Sequence, residues 1–272
     1  KKYNISYSYS ANLFYKTFPK EPTTKIEHTD LNDWIAFAPV FDDQSSASLT
    51  LRTRELLRDM DNFSSDTINK RGTLISGEYV SPIPATQNEV EEIFKQFDQR
   101  GKKALVQIKQ SANEGFLKSK EIEKYKYLHF ATHGFVNTVK PELSGILLAQ
   151  DSTINEDGIL YTGEIYNLKL NADLTVLSAC ETGLGEIKKG EGIIGLTRAL
   201  LYAGSKNIIV SLWKVADEST SQLMIDFYKH VLDNENNGTE FSESLRQAKL
   251  NMIKNGKYAH PFYWSPFILI GK

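Results

Sequence analysis

The sequence predicts an α/β fold with a mostly parallel central sheet flanked by helices. Two observations carry that expectation. Strand-sized apolar runs at residues 34–40, 174–179 and 208–213 lack the polar alternation of half-solvated strands, as expected of strands covered on both faces. Between and around them stand stretches with helical spacing of apolar residues, so that strands and helices alternate along most of the chain.

Residues 3–15 alternate large and small side chains and read as a strand, and residues 34–40 as a buried strand ending at Pro39. Residues 41–72 are polar, with Asp42-Asp-Gln-Ser-Ser46 and Asp61-Asn-Phe-Ser-Ser65, and read as a long loop with one short helix near 53–60. From Pro84 the pattern turns rhythmic. Val90, Ile93, Phe94 and Phe97 mark one helix face, closed by Arg100-Gly101. Strands follow at 104–108 and 127–132 with a helix at 111–122 between them. Residues 145–149 read as a strand, 161–168 as a short helix, 174–179 as a strand, and 192–203 as a helix ended by Gly204. A strand at 208–213, helices near 219–232 and 241–255, and a closing strand at 264–270 complete the order. Residues 1–80 thus form an N-terminal β-containing lead-in packed on an α/β core at 81–272, with no internal repeat.

Composition narrows the function classes. The 272 residues carry 32 Lys+Arg against 34 Asp+Glu, a net charge of -2, which gives no electrostatic case for nucleic acid or an anionic membrane as the main ligand. No apolar run approaches the ~18 residues that a membrane span needs. The chain opens Lys1-Lys2-Tyr3, without Met or a signal-type apolar stretch, and reads as a piece of something longer. Its 1 cysteine, Cys180, rules out an intramolecular disulfide and zinc sites with several thiolates. The 5 histidines form no metal-binding pattern and no acidic calcium loop is visible, so neither a metal nor a cofactor is expected. The lack of disulfides fits a reducing compartment, and the expected location is cytoplasmic.

Two of the strands end in reactive residues. One runs Tyr127-Leu-His-Phe-Ala-Thr132 into His133-Gly134, the other Leu174-Thr-Val-Leu-Ser-Ala179 into Cys180-Glu181. Parallel α/β sheets place their sites at the carboxyl ends of strands, so neighbouring strands would bring His133 and Cys180 to one edge. An imidazole there can take the thiol proton or hold the thiolate as an ion pair. Gly134 leaves an amide open to approach, and with the Cys180 amide it could hold a developing oxyanion. The bland alternatives are a small buried Cys and a turn His. His129 reads as structural, and Glu181 is given no catalytic role. Lys188-Lys189 reads as a solvated loop. Gly183-Leu-Gly185 and Gly190-Glu-Gly192 lack the frame and the lysine of a phosphate loop.

Taken together, His129-Phe-Ala-Thr-His133-Gly-Phe, Ser144-Gly-Ile-Leu-Leu-Ala149, Leu177-Ser-Ala-Cys-Glu-Thr-Gly183, Gly190-Glu-Gly-Ile-Ile-Gly-Leu196 and Ser211-Leu-Trp-Lys-Val-Ala-Asp217 resemble the CHAT domain. This caspase-like domain stands beside tetratricopeptide repeats in bacteria and is related to separase. The resemblance runs from about Leu74 to Lys272, including the closing His260-Pro-Phe-Tyr-Trp-Ser-Pro-Phe-Ile-Leu-Ile-Gly271, and is looser before it. His133 lies 47 positions before Cys180, near the ~50 of caspases, with Ser-Ala-Cys where those have Gln-Ala-Cys.

The resemblance implies a caspase-like sandwich and a cysteine endopeptidase that cleaves a protein substrate through a thioester. Cys180 would be the nucleophile, His133 the acid and base, and the amides of Gly134 and Cys180 the oxyanion donors. In separase-like sequences the acid of the Leu-Trp-x-Val-x-Asp run lines the pocket for the residue before the scissile bond. That residue here is Asp217, with Trp213 as a pocket wall, and the pocket would favour Lys or Arg. The other role open to Asp217 is to cap the helix predicted from Ser219. A repeat region or regulatory protein is the expected partner, with no direct nucleic acid or membrane contact. The rivals are a catalytically silent interaction module on the same fold, an acyl transferase or ligase using the same dyad, and a nucleotide-binding domain.

Overall fold

In strand β1 (Asn32–Ala38), Trp34, Ala36 and Ala38 project to one side and Ile35 and Phe37 to the other, and all five are fully buried. A five-residue run with no polar position is one covered on both faces, and the computed structural model shows what covers it. It describes residues 3–9, 31–41, 73–75, 78–80, 83–135, 140–150, 153, 156–178, 191–235 and 240–271. The elements that follow β1 are the hairpin β2 (Thr73–Ile75) and β3 (Glu78–Val80), α1 (Ala85–Asp98), β4 (Ala104–Ile108), α2 (Glu114–Leu117), β5 (Tyr125–Phe130), β6 (Gly134–Phe135), β7 (Gly145–Leu147) and β8 (Ile159–Tyr161). After these come α3 (Thr162–Ile165), β9 (Leu174–Leu177), α4 (Glu191–Ala203), β10 (Ile208–Ser211), α5 (Asp217–Asp233), α6 (Phe241–Asn255) and β11 (Phe267–Ile270).

The central sheet has the order β11-β10-β9-β5-β1-β4 and is parallel throughout except for β11, which runs antiparallel to β10. One face carries α1, α5 and α6, through Val90, Ile93 and Phe97, Leu223 and Phe227, and Leu245 and Met252. The other carries α2, α3 and α4, through Leu117, Ile165, Leu196 and Leu200. β1 lies inside this sheet, between β5 and β4, although it comes from the first 80 residues. Of the strand expected at 3–15, residues 3–9 are described. Tyr7 lies alongside β11, its amide donating to Leu269 O at 2.9 Å and its carbonyl accepting from Gly271 N at 2.9 Å. The loop and short helix expected within 42–72 lie outside the described residues.

Two expectations are corrected. The helix foreseen at 111–122 is one turn, α2, between two 3-10 turns at Lys109–Ser111 and Lys120–Lys124. Short polar side chains cut it up. Asn113 accepts from Phe116 N at α2's start, while Ser119 accepts from Glu121 N and donates to Phe116 O. Residues 145–147 do form a strand as expected, in a small antiparallel sheet, β6-β7-β8. The last strand starts only at Phe267, after a 3-10 turn at Pro261–Tyr263. Gly204 does end α4 as expected, with φ 114°, where a Cβ would sit 1.9 Å from Leu170 O.

The turn at α2 is pinned by charge. Lys118 Nζ lies 2.9 Å from Glu114, 2.6 Å from Glu156 and 2.7 Å from Glu164, so an ammonium fills the centre of this three-carboxylate cluster. Burial pushes the Glu114 carboxyl up to about 7, against the opposing pull of Lys118 and the Gly158 amide. Lys118→Met should destabilise the fold at pH 8 by about 2–3 kcal/mol, because it strands a buried carboxylate without its cation. Urea denaturation should show a smaller loss at pH 5.5, where Glu114 can take up a proton instead. Equal losses at both pH values would refute this account.

Candidate active site at the carboxyl edge of the sheet

The carboxyl ends of β1, β5 and β10 converge on one edge. Beyond β1, Pro39 is followed by Val40 and Phe41, both with left-handed backbone (φ 72° and 46°). A β-branched residue rarely adopts that conformation, and such strain concentrates at functional sites. The turn brings the Phe41 ring to 5.6 Å from the ring of His133.

His133 follows β5 by three residues and is buried. Its approach is fixed on both sides: Ala131 N donates to Phe37 O at 2.9 Å, and Thr132 Oγ1 donates to Leu147 O at 2.6 Å. The His133 carbonyl accepts from Leu147 N at 2.8 Å. In an antiparallel ladder this makes the next pair, Gly134 and Ile146, a non-hydrogen-bonded one, so the Gly134 amide turns away from β7.

Asp217 is the first residue of α5, six residues past β10. Its Oδ2 accepts from Ala85 N, the first amide of α1, at 2.7 Å. The cap it supplies is therefore to a different helix from the one expected; α5 has Ala216 at its N-cap, whose carbonyl accepts from Ser219 Oγ. Burial pushes the Asp217 carboxyl up from 3.8 to about 6. The Ala85 amide pulls it down, Glu89 adds to the rise, and His133 lowers it by attraction.

Trp213 is half-buried. Its Nε1 donates to Phe262 O at 3.2 Å and its ring stands 6.4 Å from that of Phe262, so it leans on the turn before β11. Cys180 lies outside the described residues, with 179–190 around it.

Beneath the edge the structure reveals a polar centre in the core. Glu89 and His129 are both fully buried, and Glu89 Oε1 accepts from His129 Nε2 at 2.7 Å. Tyr228 OH lies 3.3 Å from His129 Nδ1, with Trp34 stacked on Phe97 beside them. Burial pushes the Tyr228 hydroxyl well up, so it serves as the donor to that nitrogen. His129 is structural, as expected. Glu89 was missed, although the sequence carries a signal for it. It falls within the buried stripe Thr86, Glu89, Val90, Ile93 and Phe97, and a carboxylate on the core face of a helix needs a partner.

A mostly parallel sheet between two helical layers is an α/β sandwich compatible with a caspase-like fold. The CHAT domain family model matches residues 1–272, and the chain belongs to the CHAT domain family. It is also similar to tetratricopeptide repeat protein 28 of Mus musculus, 29% identical over 133 residues, which is 49% of this chain and 5% of that protein. The protein of the same name from Homo sapiens is 31% identical over 113 residues, 42% of this chain and 4% of its own length. The matched region is thus a small part of these repeat proteins. No helix among the described residues is long and apolar enough to cross a membrane.

Proposed function

We propose that the chain is a cysteine endopeptidase of caspase and separase type. Register carries the proposal. β5 and β9 pair in parallel with Tyr127 opposite Leu174 and Phe130 opposite Leu177, a constant offset of 47, and 47 also separates His133 from Cys180. A histidine and a cysteine that share the offset of these paired strands fit a dyad at one sheet edge.

In this mechanism His133 takes the thiol proton of Cys180, and the thiolate attacks the scissile carbonyl carbon. The amides of Gly134 and Cys180 stabilise the oxyanion. His133 then gives the proton to the leaving amine, and water hydrolyses the thioester to free the acid. Asp217 is the carboxylate of the pocket before the scissile bond, and Trp213 is its wall. The substrate is a protein, the setting is the cytoplasm, and a repeat region or regulatory protein controls the site, with no nucleic acid, membrane or cofactor in the reaction.

The test is a panel of peptide fluorophores varying the residue before the cleaved bond through Arg, Lys, Leu, Met and Asp. Cleavage after Arg and Lys that disappears in Cys180→Ala is the expected result. Cleavage that survives Cys180→Ala would remove the nucleophile. No cleavage, together with no labelling of Cys180 by an acyloxymethyl ketone, would leave a silent interaction module.

A further inference from the structure

β1 and β5 are paired neighbours, with Phe37 opposite Phe130, and the Ala131 amide still bonds Phe37 O past the end of β5. The chain leaving β1 therefore passes beside the chain leaving β5, and it turns there through Val40 and Phe41. Left-handed backbone is cheap for glycine and costly for a residue with a Cβ, above all a β-branched one. Neither residue is glycine, and both side chains are buried. The turn sends them to different neighbours. Val40 packs into the core shared with α1, α5 and α6, whereas Phe41 joins Ile83, Leu147 and Ile159. From there the Phe41 ring meets the His133 imidazole, with centres 5.6 Å apart and planes inclined by 37°, a separation at which aromatic rings are in contact. Leu147 belongs to the same cluster and also makes the main-chain bond that fixes His133. That bond sets where the His133 backbone lies but does not by itself choose the rotamer of the side chain.

We propose that Phe41 is a positioning residue for His133, and that the strained turn after β1 serves to bring its ring against the imidazole. The proposal rests on His133 as the acid and base of the peptidase. An apolar ring suits the task, because it restrains the imidazole while making no hydrogen bond to either nitrogen. Strain of this kind persists only where the surroundings hold it, and here the two clusters on either side of the turn do so. The benefit is a histidine already set in one orientation before a substrate arrives.

The experiment compares wild type with Phe41→Leu, which keeps an apolar side chain but loses the ring, and with Phe41→Tyr, which keeps the ring. NMR couplings from the His133 Cγ to its own amide nitrogen and carbonyl carbon report the rotamer without any turnover. They should show a single rotamer in wild type and in Phe41→Tyr, and averaged values in Phe41→Leu. For an Arg peptide, kcat should fall in Phe41→Leu by about tenfold to a hundredfold with KM within about twofold of wild type, and Phe41→Tyr should restore most of it. A residue that only packs would lower the thermal midpoint and leave both the couplings and kcat in place. If Phe41→Leu loses the fold, Phe41→Met, whose unbranched side chain adapts to the same space, takes its place. Couplings unchanged by loss of the ring, or a kcat equal to wild type, overturn the proposal. A chain that cleaves no peptide but whose couplings average without the ring would refute the peptidase and leave the hold of Phe41 on His133 standing.

Discussion

His133→Ala should lower Cys180-dependent cleavage by about a thousandfold or more while leaving the fold intact. The ring supplies both proton transfers in the proposed mechanism, and loss of a positioned acid and base typically costs 10²–10⁴-fold. Its backbone carbonyl, not its side chain, makes the hydrogen bond to Leu147 that fixes the turn, so truncation leaves that bond in place. The check is kcat/KM beside the thermal midpoint of the variant. The rate of Cys180 alkylation against pH adds a second readout. In wild type an imidazole-assisted thiolate should persist to lower pH than in His133→Ala, because the neighbouring imidazole stabilises it. Coincident alkylation profiles would mean that the two side chains do not form a dyad.

Asp217→Asn should act in opposite directions on activity and stability. For Arg and Lys peptides kcat/KM should fall on the order of a hundredfold, the scale of losing one partner of a desolvated charge pair, with little change for a Leu peptide. The amide oxygen of Asn can still accept from Ala85 N, so α1 keeps its cap. Stability should rise instead. The native state holds Asp217 with a carboxyl raised from 3.8 to about 6, so the folded protein binds this proton more tightly than the unfolded chain does. Its ionisation therefore removes stability as pH rises from about 4 to above 6. Discounted for partial exposure, the cost at pH 8 is about 1–2 kcal/mol. Asp217→Asn should be more stable than wild type by that amount at pH 8 and equal to it at pH 3.5. A variant that is less stable at pH 8 would show that the carboxylate holds the fold together and is not kept for substrate.

Several elements were legible because one period dominated them locally. Residues 104–108 and 241–255 have in the structure the bounds that their patterns predict, and the Val90, Ile93 and Phe97 stripe faces the core. The failures have local causes too. At 111–122 apolar spacing competed with Asn113 and Ser119, whose side chains bond the backbone within a turn and break the helix. Asp217 before Ser219 looked like a cap for its own helix. It caps α1, 132 residues away in sequence, a pairing that no local pattern encodes.

The sequence by itself determined the α/β class and the family. These depend on short-range patterns, namely side-chain period along a strand or helix and ordered motifs within a few residues of each other. Only the tertiary structure decided that β1 is an interior strand, that β5 and β9 are neighbours in register, and that α1 bonds Asp217 at its start and His129 through Glu89. Those facts follow from how the two faces of the sheet are covered. Burial brings distant carboxylates and imidazoles together in a medium where each charge must be answered by a specific neighbour, and that neighbour is set by packing in three dimensions.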